Sequence, residues 1–438
     1  MTRLGWLLPL LLLASPGWAM DLMQVYRQAQ AYDAAFATAR ANLEAGRERG
    51  PQGLAGLLPS LSLSGNTTWN DNEVENNGVK TDRRYNSNAY TLTLSQPVFR
   101  WQNWAAYDQG KLGVALAEAQ FVQARQDLIL RVAQAYFDVL TAQVNLRAAQ
   151  SQKVAIAQQL EQAKRNFEVG TATIVDTYEA QSRYDLAWAQ EIASENDLEV
   201  RREALRVLIG EVPAHLASLD AAKPILPPQP PQLAPWVEAA QKDNTAVQIQ
   251  QKNSEIAAKE VQRLRAGHYP TLDVVANVGR NHNAQNIGGV GDIDANNIGL
   301  QLNLPIYQGG AVSSRVREAA ANYNAALSSL EGARRNAALS ARQSYLGVVN
   351  GLAQIKALEA AQESSQASLD SNKLGYEVGV RISIDVLNAE QQLYQTRRDL
   401  ARAYHETLMA RLRLKSAVGA LDEADLQEIN ALLQEDRS

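Results

Sequence analysis

The chain has 438 residues, no cysteine and a formal net charge of -5, with its basic residues spread evenly. Without cysteine there are no disulfides, no thiolate metal centre and no lipid on an N-terminal cysteine, so packing and assembly must hold the fold. The slight negative charge and the lack of a basic cluster argue against nucleic acid as a partner.

Residues 1–19 read as a secretory signal peptide. Arg3 supplies the positive start, Leu4 to Leu13 the apolar core broken by Gly5 and Pro9, and Gly17-Trp18-Ala19 a small-x-small cleavage site. The mature chain is expected to start at Met20. No later segment approaches the roughly 20 apolar residues of a membrane-spanning helix.

After a first helical region, two segments alternate. Leu61, Leu63 and Gly65 interleave with Ser62, Ser64 and Asn66, and Tyr90, Leu92 and Leu94 with Thr91, Thr93 and Ser95. The alternation predicts strands over about 57–69 and 85–99, each with one wet face. A polar surface loop from Asn70 to Arg84 is expected between them. No proline then occurs between Pro97 and Pro213, and Leu128, Val132, Ala135, Val139, Ala142 and Leu146 recur at coiled-coil spacing. A continuous helix over the roughly 65 residues before the next turn signal would be about 100 Å long. A tip at 167–176 and a returning helix complete a first repeat, 20–211, and a Pro-rich linker follows at 212–235, extended by composition.

The second repeat, 236–420, runs the same course. Leu272, Val274, Ala276 and Val278, then Ile298, Leu300, Leu302 and Leu304, predict strands over about 270–280 and 297–307, joined by a polar loop from Arg280 to Asn296. Ala341, Tyr345, Val348, Leu352 and Ile355 carry the next long helix to a tip at 376–385. In the returning helix Val386, Leu393, Leu400, Thr407 and Leu414 take one core position, and Ala389, Thr396, Ala403, Ala410 and Ala417 the other. Large residues alternating with small ones suit closely packed hairpins. A short helix from Glu423 to Gln434 and a tail, within 421–438, end the chain.

The two tips are one motif used twice: FEVGTATIVDTYEA at 167–180 returns about two hundred residues later as YEVGVRISIDVLNA at 376–389. The fold class is therefore mainly α with membrane β, a tandem repeat of long coiled-coil hairpins with four strands. Four half-wet strands cannot close a barrel, since single-chain barrels begin at about eight strands and open edges invite aggregation. Sister chains must close it. Trp69, Phe99, Trp101, Trp104, Tyr269 and Tyr307, near the strand ends, fit an interfacial aromatic belt in outer-membrane lipid.

No catalytic, cofactor or metal constellation competes. His215, His268, His282 and His405 stand apart, neither HExxH nor GxSxG is present, and the carboxylates scatter over helix surfaces that read as solvated.

The mature start LMQVYRQA, the segment LPIYQGG at 304–310, the VG tip followed by aspartate, and the ending KSAVGALDEADL at 415–426 resemble the TolC family of outer-membrane export channels. The resemblance spans nearly the whole mature chain. It implies a homotrimer with a 12-stranded barrel, four strands from each subunit, continued by a helical tunnel in the periplasm. It also implies a periplasmic adaptor (membrane fusion) protein and an inner-membrane transporter of ABC or RND type as partners, in drug efflux, type I secretion or both. On the matching positions, gating links would run from Asp176 to Tyr376 and Arg381. Asp385 would form an acidic constriction ring able to hold a multivalent cation; Asn388 stands where the family's second aspartate is expected, which leaves one ring and weaker cation selectivity. Val169, Gly170, Thr171, Val378 and Gly379 would be adaptor-docking tips, with Val380 departing from the family pattern. The alternative from another class is a soluble periplasmic coiled-coil adaptor or scaffold, which would share the signal peptide and hairpins but expose no apolar strand face.

Overall fold

The structure, a computed structural model, describes residues 19–76, 78–213, 215–220, 223–286 and 289–434. The signal peptide expected over 1–19 lies, but for Ala19, outside the described residues. In chain order the elements are α1 (Leu22–Tyr32), α2 (Ala34–Arg47), α3 (Arg49–Ala55), β1 (Ser60–Asn76), β2 (Val79–Phe99), α4 (Trp101–Glu168), α5 (Ile174–Ile209), β3 (Ser218–Leu219), α6 (Leu233–Asp243) and α7 (Thr245–Arg265). A 3-10 turn (Ala266–His268), β4 (Thr271–Asn286), β5 (Gly289–Asn303), α8 (Ala311–Glu377), α9 (Ser383–Ala417), α10 (Glu423–Asn430) and β6 (Leu433–Gln434) complete it. The proline-free stretches are continuous helices of 68 and 67 residues, α4 and α8. Contacts divide the chain across the sequence repeat into two compact units, one of residues up to 39, 122–245 and 334–438, the other of Arg40–Phe121 and Ala246–Ala333.

The second of these units carries the sheet. Its strands are antiparallel in the order β1-β2-β4-β5, so the second repeat's hairpin is sewn to the first through β2 and β4. Among the described residues β1 and β5 each have a free edge. The register stacks like with like: Leu61, Leu94, Ala276 and Ile298 form one row and Ser62, Thr93, Asn277 and Asn297 the next. Along the polar row Thr93 donates to Asn277 at 2.7 Å and Asn277 to Asn297 at 3.0 Å. The apolar rows lie bare, with Leu63 at 74 % exposure and Ile298 at 77 %. A soluble adaptor would have to hide such a face; lipid covers it without cost.

The expected loops are a correction. Asn70 to Arg84 and Arg280 to Asn296 are mostly strand, paired to Asn76–Val79 in the first hairpin and to Asn286–Gly289 in the second. Apolar alternation stops in these segments, yet cross-strand charge takes over its pairing role: Asp71 with Arg84 at 3.1 Å, Glu73 with Lys80 at 2.5 Å, and Arg280 with Asp292 at 3.1 Å. At the foot of the sheet Arg100 grips Asp273 with two hydrogen bonds of 2.7 and 2.6 Å, tying the entry of α4 to the start of β4.

The other unit is a helical body. Its fully buried side chains include Leu22 and Tyr26 of α1, Leu128, Ile129, Tyr136 and Phe137 of α4, Leu205 of α5, Leu408 and Leu412 of α9, and Leu426 of α10. The Tyr136 hydroxyl donates to the Ala217 carbonyl at 2.7 Å, and Met20 forms a parallel bridge with Leu216, so the segment before α1 and the linker share one anchor. The final segment is helix only to Asn430. It then pairs as β6 with β3 of the linker, because the edge of that short strand offers unmet hydrogen bonds. Along α9 the predicted core positions Val386, Leu393, Thr396, Ala403, Thr407, Leu414 and Ala417 are buried, while Ala389, Leu400 and Ala410 are half-buried. At Gly351 the backbone of α8 lies against Thr407, and no side chain fits between them.

Candidate functional site at the two hairpin tips

Each tip reverses the chain by the same hydrogen-bond pattern. In the first, Gly170 at φ 77° donates to Phe167, while the N–H groups of Thr171 and Ala172 both close on the Asn166 carbonyl at 2.8 and 3.2 Å. In the second, Gly379 at φ 80° donates to Tyr376, and Val380 and Arg381 both close on Gly375 at 2.9 and 3.0 Å. The left-handed backbone is what demands glycine at both positions. Val169, Thr171, Val378 and Val380 stand exposed beside them, so the position that departs from the family pattern is as bare as its neighbours.

The helices that leave the tips start differently. Thr173 and Asp176 make a reciprocal capping box: the Asp176 carboxylate accepts from the Thr173 N–H and hydroxyl, each at 2.8 Å, and the Asp176 N–H donates to the Thr173 hydroxyl at 3.3 Å. The backbone donor first, then the hydroxyl, hold the Asp176 carboxyl below the usual carboxylate range. α9 has no side-chain cap. Its first turn carries Asp385, half-buried and 3.7 Å from Arg381 in an i,i+4 pair. Asn388, one turn on, is exposed.

Asp176, Tyr376 and Arg381 line one cleft of about 400 Å³, together with Gln159, Asn166 and Arg183. The structure thus brings the three expected gating residues to one space. Among the described residues, however, no hydrogen bond or ion pair joins Asp176 to Tyr376 or Arg381. Each charged group has a partner within its own tip, Thr173 for Asp176 and Asp385 for Arg381, and Tyr376 packs on the cluster of Leu369, Val386 and Leu393.

Two ion pairs, one farther along the first hairpin and one near the second tip, involve carboxylates that read as solvated in the sequence. Lys153 of α4 bonds Glu191 of α5, and Lys373 of α8 bonds Glu390 of α9 at 3.1 Å. Each staples the two helices of one hairpin. The Glu390 side chain is only 10 % exposed, and its second oxygen has no hydrogen-bond donor among the described residues. No sequence signal marks these pairs, because helical period alone does not say which charged positions meet across a hairpin.

A four-stranded sheet with open edges and a bare apolar face, in a chain whose longest helices turn at matched tips, defines the class: a subunit of an outer-membrane channel. The family model described as outer membrane efflux protein matches residues 25–211 and 236–420. Outer membrane protein TolC of Escherichia coli K12 is 32 % identical over 425 residues, 95 % of this chain and 85 % of that protein. The proteases secretion protein PrtF of Dickeya chrysanthemi is 32 % identical over 95 % of this chain and 92 % of its own. Among solved structures, the Campylobacter jejuni CmeC outer membrane channel superposes with a TM-score of 0.80 at 16 % identity, covering 94 % of this chain and 90 % of that one. The Vibrio cholerae outer membrane protein VceC does so at 0.77 and 21 % identity, covering 91 % and 96 %. The chain belongs to the outer membrane efflux protein family. It is an outer-membrane exit duct for efflux and secretion.

Proposed function

We propose that three copies close the duct, each adding four strands to a 12-stranded barrel and two hairpins to a periplasmic tunnel, and that the tips are its gate. The free edges of β1 and β5 support this, since joining sheets edge to edge satisfies both at once. Partners are a periplasmic adaptor, docking on the bare tips around Val169-Gly170-Thr171 and Val378-Gly379, and an inner-membrane transporter of ABC or RND type. The resemblance to TolC, an outer membrane protein, and to PrtF, a proteases secretion protein, supports cargo of either kind.

The observation that carries the gate is the shared cleft of Asp176, Tyr376 and Arg381. With the local partners Thr173 and Asp385 within the same tips, closing and opening amount to an exchange of partners across a small gap. Such exposed pairs are worth about 0 to 1 kcal/mol each, so an adaptor can break them, while several around a ring add up. Three Asp385 carboxylates on the axis would form a single acidic ring, because Asn388 contributes no second charge.

Conductance in planar bilayers tests the gate. Asp176→Ala and Arg381→Ser should each enlarge the resting conductance, and block by a trivalent cation should weaken in Asp385→Ala and strengthen in Asn388→Asp. A resting conductance unchanged in both tip variants would remove the gate from this cleft.

A further inference from the structure

His405 of α9 stands apart from every other histidine in sequence, yet in the structure it sits at the joint between the two hairpins. It is buried, its ring stacks on Phe137 of α4 with centroids 5.2 Å apart, and its Nδ1 lies 2.7 Å from the Thr141 hydroxyl of α4. The Thr141 hydroxyl gives its one proton to the Phe137 carbonyl at 2.8 Å, so toward His405 it can only accept. This network assigns the proton of the neutral imidazole to Nδ1 and leaves Nε2 as the atom that takes up a second one.

The charged groups facing this place balance in sign. His405 borders a cavity of about 570 Å³ whose charged lining is Asp138 from α4 and Arg402, Glu406 and Arg413 from α9; α8 adds only neutral groups such as Asn350 and Gln354. Asp138 already accepts from Gln134 and pairs with Arg201 of α5, and Arg413 donates to Gln134. It is burial that pushes the imidazole down to about 4. Among the described residues no protein acceptor meets Nε2, so an imidazolium here would have to turn its new N–H toward the cavity and give up the contacts that the neutral ring makes with α4.

We propose that His405 is an acid-responsive wedge in the joint between the hairpins: a proton taken up at Nε2 parts α9 from α4 at this level. The neutral ring is the closing contact, through the Phe137 stack and the Thr141 hydrogen bond, and the adjoining cavity gives the charged ring water to turn into. The consequence for the duct, a joint biased toward opening in acid, rests on the channel reading above. The joint itself can be tested apart from it.

The test is hydrogen exchange of the assembled full-length protein in detergent at pH 7 and pH 5, each corrected for intrinsic exchange. With an ordinary value of 6.5 in the parted state, opening of the segments 135–141 and 402–409 should rise about 20-fold between the two. His405→Asn, which keeps a donor for Thr141 and does not titrate, should show no such rise, and neither should His405→Phe. Wild-type segments indifferent to acid would overturn the proposal, as would either variant opening as the wild type does, since the response would then belong to Asp138 or Glu406. If neither variant assembles, titration of the imidazole in wild-type protein decides, and a midpoint near 6.5 overturns it. Loss of bilayer conductance with the exchange result intact would sink the channel reading alone.

Discussion

The close approach of α8 and α9 at Gly351 makes a demanding test of the helical body. In an open helix interior Gly→Ala stabilises by about 1 kcal/mol through backbone propensity. At Gly351 a Cβ would fall well inside the van der Waals contact distance of Thr407 Oγ1 and 3.2 Å from its Cβ and Cγ2. Thr407 is 1 % exposed and its hydroxyl donates to the Ala403 carbonyl at 2.6 Å, so it has little room to yield. Overpacking costs about 1–3 kcal/mol, and a contact this close lies at the upper end, so net of the propensity gain of about 1 kcal/mol Gly351→Ala is about 2 kcal/mol less stable. Gly332, in the same helix with nothing within 4 Å of its would-be Cβ, is the control, and Gly332→Ala should gain up to about 1 kcal/mol. Adding Thr407→Ala to Gly351→Ala should recover most of the loss, a coupling of about 1–2 kcal/mol. Denaturation midpoints of the purified protein at one fixed concentration measure all four variants. A Gly351→Ala protein as stable as wild type, or a double variant no better than the sum of the singles, would refute the reasoning.

Two further predictions concern the tips. Lys373→Ala strips the partner from a nearly buried Glu390 and should destabilise by about 1–3 kcal/mol, discounted because Lys373 is itself half exposed, whereas Lys373→Met with Glu390→Leu should come close to wild type; the same midpoints check both, and a harmless Lys373→Ala would show that the staple is not made. Thr173→Ala should raise the Asp176 midpoint part of the way toward the ordinary 3.8, since it removes the hydroxyl and keeps the larger backbone donor, and carbon-13 carboxyl titration follows the change. The sign follows from the depressed carboxyl: its contribution to the helix start is complete above 3.8 and disappears as pH falls through the lowered value, so a midpoint that stays put in the variant would remove the Thr173 hydroxyl as a cause and leave the backbone donor alone.

Much of this molecule could be read from its sequence because its signals are local and repeated. The gaps between prolines became α4 and α8, and the paired VG motifs became left-handed turns at Gly170 and Gly379. The strand ends were missed, since Asp71, Glu73, Lys80 and Arg84 look like loop residues until their cross-strand partners are known. At the tips the capping box T-x-x-D was spelled out by Thr173 and Asp176, and Arg381 and Asp385 stand at the i,i+4 spacing of a helical ion pair. What no local pattern carries is the meeting of residues far apart in the chain: Lys373 with Glu390 across a hairpin, and His405 with Thr141 between hairpins.

The ladder between the two ribbons of the sheet stops at the rung of Asn88 and His282, although each ribbon continues beyond it, one as far as Asn76 and Val79 and the other to Asn286 and Gly289. Past that rung the ribbons are joined by a side chain rather than by the ladder, with the Asn283 amide donating to the Asn86 carbonyl at 2.8 Å. Mutations beyond Asn86 and Asn283 leave the shared ladder untouched, so each protruding end can drift by itself, under whatever pressure meets it first, while the wall beneath keeps its register.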